Sequence, residues 1–170
     1  MKRIVIVFSM VFLAWPVVAQ QEKSMSEIQA QMIYNFLKYI QWPNETEAGD
    51  FVVGVMGEEE VFTTLKNYYD GKPRGAKKFV VKKLASADEA ATCSVVYLGK
   101  SKSKEFENIK NGVTGKSILT ITDSFNLGSK GSCINFKVVD GKLKFEMNQA
   151  SLGGASLKVS TQLTSLAIVI

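Results

Sequence analysis

The chain has 170 residues, 22% of them charged, with a formal net charge of +5 and no histidine. The absence of histidine excludes Ser-His-Asp and Cys-His catalysis, histidine-ligated zinc and copper sites, and a histidine pH switch. The charge is too small to indicate binding to nucleic acid, and we expect neither a cofactor nor a metal.

Residues 1–19 have the pattern of a secretory signal peptide. The segment begins with two basic residues, continues with the mainly apolar run Ile4–Leu13, and ends with small residues before a cleavage site expected after Ala19. The apolar run is too short to span a bilayer as a helix; an uncleaved N-terminal anchor is the alternative. We therefore predict export to the periplasm, with residues 20–170 as one domain and no membrane insertion after cleavage.

The first element of the mature chain is predicted to be an amphipathic helix. Ser26-Glu27-Ile28-Gln29 has the S-x-x-Q form of a capping box, and apolar residues then recur at helical spacing up to Ile40. We expect this helix to bury Met32, Ile33, Phe36 and Leu37. If that face were exposed in a monomer, it would be the dimer or partner surface.

Strand-like and helix-like segments alternate after this helix, which predicts βαβ units and a mostly parallel sheet. An antiparallel hairpin (133–147) with its turn at Asp140-Gly141 is predicted next. It is followed by a short helix that begins at Asn148 and by a final helix over Thr161–Ile168. The fold class expected is a three-layer α/β sandwich with helices on both faces of the sheet and the hairpin at one side. The alternating strands are Phe51–Met56, Lys77–Lys83, Cys93–Leu98 and Ser117–Thr122, and their helices are Glu58 to about Tyr69 and Lys102–Lys110.

One stretch of the chain is basic and free of acidic residues. Its positive charges suit anionic lipid headgroups or an acidic partner. A solvated strand edge protected by charge is the simpler alternative. The residues are Lys72, Arg74, Lys77, Lys78, Lys82 and Lys83.

Four residues are candidates for contact with a partner. Asp123 follows a predicted parallel strand, and ligands of such sheets bind outside the carboxyl ends of the strands; Phe125 lies in the same loop. Tyr39 and Trp42 lie at the end of the first helix, and aromatic side chains of this kind dominate protein interfaces. The alternatives are an ordinary turn for Asp123 and core packing for Trp42.

The chain contains two cysteines, Cys93 and Cys133. An oxidising compartment permits a disulfide between them. Both lie at the start of strand-like runs, where buried free cysteines are common, so the sequence leaves both states open.

Two blocks of the sequence together carry a family resemblance. The first is the Y-N-F-x-K-Y-x-x-W-P stretch of Tyr34–Pro43, and the second is the I-N-F and F-E-x-N pair of Ile134–Phe136 and Phe145–Asn148. The chain resembles the YfiR family of small periplasmic proteins from about Ser26 to Leu166. It departs from the family's usual pattern at Ser94, where histidine is common, and around Ser132, so a redox role for the cysteines is not carried over.

The resemblance implies a non-enzymatic regulator that forms homodimers. Its best-understood members bind the periplasmic domain of an inner-membrane diguanylate cyclase and hold it inactive; relief of inhibition raises cyclic di-GMP and favours biofilm. A sensor kinase is an alternative partner, and no catalytic residue is implied. The residues alone also allow a periplasmic small-ligand binding module with a pocket near Asp123 and the loop Phe125–Lys130. An enzyme is disfavoured because no nucleophile–base arrangement is evident.

Overall fold

An eight-stranded sheet forms the centre of the computed structural model, which describes residues 23–43 and 45–170. The predicted signal peptide lies outside the described residues. The helices are α1 (Met25–Tyr39), α2 (Glu59–Tyr69), α3 (Phe106–Val113), α4 (Gln149–Gly154) and α5 (Thr161–Thr164), with 3₁₀ turns at Ala87–Thr92 and Lys100–Glu105. The strands are β1 (Ile40–Gln41), β2 (Gly49–Met56), β3 (Pro73–Arg74), β4 (Lys77–Lys83), β5 (Val95–Leu98), β6 (Leu119–Thr122), β7 (Ile134–Val139), β8 (Lys142–Met147), β9 (Lys158–Val159) and β10 (Ile168–Val169).

The order of the strands places a topological switch at the middle of the sheet. The order is β10-β8-β7-β6-β5-β2-β4-β3, and the strands from β7 to β4 are mutually parallel. Strand β8 pairs antiparallel with β7 as the predicted hairpin. Because the chain goes from β2 to β4 on one side and then to β5 on the other, the direction of winding reverses between β2 and β5.

Two hydrophobic layers cover the sheet, one on each face. Helices α1 and α2 pack on one face with residues such as Val53 and Val55, while α3 and the first 3₁₀ turn pack on the other with Val96 and Leu98. Every residue of β5 is buried, as expected for a parallel strand covered on both faces. The predicted three-layer α/β sandwich is therefore confirmed.

The predicted start of the first helix was wrong by two residues. The N-cap is Ser24: its hydroxyl accepts from the Glu27 N–H at 3.1 Å, and the Glu27 carboxylate accepts from the Ser24 N–H at 3.0 Å. A carboxylate in the first turn also complements the positive end of the helix, which Gln29 cannot do. Helix α1 buries Ile33 and its apolar neighbours as expected, but Met32 is only half-buried.

The predicted final helix was too long. Helix α5 ends at Thr164, and Ile168 and Val169 form β10, which pairs parallel with β8. β-Branched residues favour strands, and the outer edge of β8 offers them a backbone partner, so tertiary pairing outweighs the helical spacing of this segment.

The outer edge of β4 is closed by a side chain as well as by backbone. The Val81 N–H donates to the Asp70 carboxylate at 2.7 Å, and the Phe79 N–H and carbonyl bond to the backbone of Lys72 and Gly71. The bond from Val81, followed by the one from Lys66, holds the pKa of Asp70 below its usual range. Closing the edge in this way leaves fewer free backbone groups for pairing with another chain.

Arg74 joins the end of α1 to the sheet. Its guanidinium donates to the carbonyl oxygens of Leu37 at 2.6 Å and Ile40 at 3.3 Å, and it forms an ion pair with Glu45. The central carbon of the guanidinium group lies 5.0 Å from the ring centroid of Trp42. One side chain thus satisfies carbonyl groups at the end of the helix and stacks on an aromatic ring of the core.

We expect Arg74→Lys to lower the free energy of unfolding by about 1–3 kcal/mol, because an ammonium cannot reproduce the planar fork of donors. The reciprocal exchange Lys78→Arg, at an exposed position of β4, which pairs antiparallel with β3, should change the free energy of unfolding by less than about 0.5 kcal/mol. Urea denaturation of both variants measures the difference. Equal stabilities for the two variants would contradict the role given to Arg74.

Candidate functional site

An open crevice of about 380 Å³ lies near the carboxyl ends of β2, β5 and β6. Doubly wound sheets bind their ligands at this position, where the direction of winding reverses. The crevice is therefore the best-placed binding site that the topology provides. Its lining residues are Met25, Ser26, Gln29, Glu58, Lys100, Ser101 and Asp123.

A buried hydrogen-bond network forms the inner wall of the crevice. The Gln29 side-chain amide donates to Asp123 Oδ2 at 2.7 Å, and the Tyr97 hydroxyl donates to Gln29 Oε1 at 3.4 Å. Burial, and then the negative charges of Asp123 and Glu58, raise the pKa of Tyr97 far above its usual value. The hydroxyl therefore stays protonated and acts as a hydrogen-bond donor.

Glu58 and the loop after β5 form the outer wall. The Ser101 N–H donates to Glu58 Oε1 at 3.2 Å, and a methyl group at Gly99 would collide with the Glu58 side chain. Lys100 is exposed at the rim. The crevice thus presents two carboxylates, one ammonium and a buried amide, which suits a small polar ligand that carries its own charged groups.

The structure places the four predicted contact residues in two separate regions. Asp123 lies in the crevice, and Phe125 is 86% exposed in the loop after β6. Tyr39 is half-buried against the core. Trp42 is only 9% exposed, and its indole N–H donates to the Ser94 carbonyl at 3.2 Å, near the amino end of β5. The two aromatic residues at the end of α1 therefore lie away from Asp123.

Trp42 takes the core-packing alternative for a physical reason. Its ring packs edge-to-face on Phe51 with 4.9 Å between centroids, and the guanidinium of Arg74 lies against it. Phe51 and Arg74 are distant from Trp42 in sequence, so the local Trp-Pro pattern could not reveal that the ring is covered.

The two cysteines are free and buried, and they pack in different hydrophobic clusters. Cys93 lies close to Gly54 of β2, whereas Cys133 lies beside Thr120 of β6. Burial raises the pKa of both thiols. The structure therefore does not contain the disulfide that the sequence permitted, and neither thiol is activated as a nucleophile.

Sequence reasoning missed Gln29 and Tyr97 as members of the site. The available signal was position: Gln29 lies four residues before Ile33 and so falls on the apolar stripe of α1. A polar residue on that stripe needs a buried partner. The sequence did not indicate a site role for Tyr97, because a tyrosine within an apolar strand usually packs in the hydrophobic core.

Comparisons with known proteins agree with this architecture. A family model described as YfiR/HmsC-like (DUF4154) matches residues 26–168. A conserved domain protein from Vibrio cholerae O1 biovar El Tor is similar in structure, with a TM-score of 0.56 and 8% identity over 86% of this chain and 60% of the other. The ABC domain from Streptococcus pneumoniae in complex with L-Trp has a TM-score of 0.55 and 8% identity over 85% and 60%.

At these identities, the two structures share the fold with this chain and nothing finer is shown. The chain spans about 60% of the length of each. Within the part of the chain that the structure describes, no helix combines the length and apolar character needed to cross a membrane.

The network around Gln29 can be tested with two glutamines of one helix. Gln29→Ala leaves a buried tyrosine hydroxyl and a carboxylate without their partner, and we expect it to cost about 1–3 kcal/mol of stability. Gln31→Ala removes an exposed amide that contacts only Lys23, and should cost less than about 0.5 kcal/mol. Urea denaturation measures both, and a Gln29 variant as stable as the Gln31 variant would show that the network contributes nothing.

Proposed function

This chain belongs to the YfiR/HmsC-like family, and we propose on that basis that it is an exported regulator of an inner-membrane signalling protein. It binds the periplasmic domain of a partner such as a diguanylate cyclase and inhibits it, and it forms a homodimer. The observation that carries the proposal is the family match over residues 26–168. The signal-peptide pattern of residues 1–19 supports the periplasmic location.

The exposed apolar residues support a role in protein contact. Phe125 and Leu166 are 86% and 69% exposed, and Val169 and Ile170 are exposed at the edge strand β10. Single exposed apolar side chains are common on monomers, so the support for contact comes from the residue whose exposure is largest. Among these residues we assign the partner contact to Phe125, because it combines the largest exposure with an aromatic ring.

We expect Phe125→Asp to reduce recovery of the partner by at least about tenfold, because a charge at the centre of an apolar contact must be desolvated. The matched control is Val138→Asp, which places the same charge at another exposed apolar residue. The measurement is affinity capture of the tagged, exported protein from crosslinked native cells, with mass spectrometry and cellular cyclic di-GMP as readouts. Circular dichroism verifies that both variants are folded.

Three outcomes are informative. Recovery of an inner-membrane protein with a cyclase or kinase domain, lost in the Phe125 variant alone, supports both the function and the contact. Equal recovery with both variants removes Phe125 from the interface. Recovery of nothing but the chain itself contradicts the regulator function.

A second function, small-ligand sensing, is supported by the position and charge of the crevice around Asp123. If a ligand binds there at a hundred times its dissociation constant, it should raise the melting temperature by about 5–10 °C. A thermal-shift panel of amino acids, amines and nucleotides tests this, with Asp123→Asn as the variant that loses the response. A panel with no response, or an equal response in the variant, would count against sensing at this site.

A further inference from the structure

Four side chains form a layered stack between α1 and the end of α2, beside the antiparallel pair β3–β4. The rings of Tyr34 and Tyr69 are stacked, with 3.8 Å between centroids and 13° between planes. The ammonium of Lys38 lies 4.6 Å from the Tyr34 centroid, and that of Lys72 lies 5.3 Å from the Tyr69 centroid. The stack therefore holds two positive charges and two aromatic rings in fixed positions on one surface.

Two further side chains extend this surface, which we call the basic–aromatic face. Lys77 and Lys38 line the same shallow hollow, and Tyr68 lies beside Tyr69 and is 60% exposed. The face comprises Tyr34, Lys38, Tyr68, Tyr69, Lys72 and Lys77.

The lysines of the face are available to an external anion. Among the described residues, no carboxylate lies within ion-pair distance of Lys38, Lys72 or Lys77. Of the acids in this region, Glu45 pairs with Arg74, Asp70 accepts from Lys66 and from the Val81 N–H, and Glu27 lines the hollow beside Tyr68. Within the described chain, the three lysines therefore form no direct ion pair.

The shape of the face does not favour a single small anion or a peptide. The two hollows that touch it have volumes of about 230 and 170 Å³, below the usual range for a pocket that encloses a ligand. Arg74, the strongest anion-binding group nearby, is already engaged with carbonyl oxygens and Glu45. Dispersed ammonium groups separated by aromatic rings suit a surface of dispersed negative charge.

We propose that the basic–aromatic face binds the surface of an anionic phospholipid bilayer. The three lysines contact headgroup phosphates, and the tyrosines, whose rings are apolar and whose hydroxyls are polar, lie at the level of the headgroups. A lysine near an anionic membrane surface increases binding several-fold, so three together give an enrichment on the order of a hundredfold at low ionic strength. This contact requires no membrane insertion and does not depend on the proposed partner.

The test is co-sedimentation of the purified exported protein with vesicles. Vesicles of phosphatidylcholine with phosphatidylglycerol are compared with vesicles of phosphatidylcholine alone, at low and high salt. We expect binding only to the anionic vesicles and weaker binding at high salt. In the triple variant Lys38→Glu/Lys72→Glu/Lys77→Glu, the affinity should fall by at least about a hundredfold.

The chain offers a matched control for net charge. Lys102 and Lys104 on the second 3₁₀ turn and Lys142 on β8 are exposed, and their triple change to Glu alters the net charge by the same amount. This control should retain most of the binding. If the first triple does not fold, the corresponding Lys→Gln triple, which avoids new negative charges, replaces it.

Two results would overturn the proposal. One is equal loss of binding in both triple variants, which would assign binding to net charge alone. The other is absence of wild-type binding to anionic vesicles at low salt; if an acidic polypeptide such as polyglutamate then bound through the same lysines, the face would be a protein contact instead.

Discussion

Helix α1 is the element on which the rest of the structure depends, because it covers a part of the sheet that no crossover helix of the described residues reaches. Helix α2 packs against β4, whereas the step from β6 to β7 is made by a loop. Helix α1 covers β7 and β8 on the face of the sheet that α2 also covers. The ring centroid of its Phe36 lies 5.9 Å from that of Phe136 and 4.7 Å from that of Phe145. Polar contacts fix α1 at both ends, through Gln29 near the carboxyl edge and Arg74 at the opposite end.

This arrangement connects the two candidate functions. The first half of α1 supplies Gln29 to the crevice, and Asp123 begins the loop that presents Phe125. A ligand that bound Asp123 would compete with Gln29 for the same carboxylate and so act on both the helix and the loop. Sensing and partner contact would then share one element, and coupling between sites requires such an element with two arrangements.

The sequence predicted the fold class because its strongest signals are periodic. The β2 and β5 segments are continuous apolar runs, as buried parallel strands require, and Asp140-Gly141 marks the hairpin. What it could not predict depends on distant residues: Trp42 is buried by Phe51 and Arg74, and Ile168 joins a strand because β8 has a free edge. The site was predicted in part, since strand-end position identified Asp123 but nothing local identified Tyr97.

The two edges of the sheet differ in a way that bears on association. At the β4 edge, the Asp70 carboxylate accepts a hydrogen bond from the Val81 N–H. Because the pKa of Asp70 is lowered in the folded protein, the stability that this carboxylate contributes is present above its unfolded pKa and is lost as the pH falls through the folded one. At the other edge, β10 is short and carries exposed Val169 and Ile170. The β10 edge is therefore the less protected of the two, and it lies at the opposite end of the strand order from β3 and β4, beside which the basic–aromatic face lies.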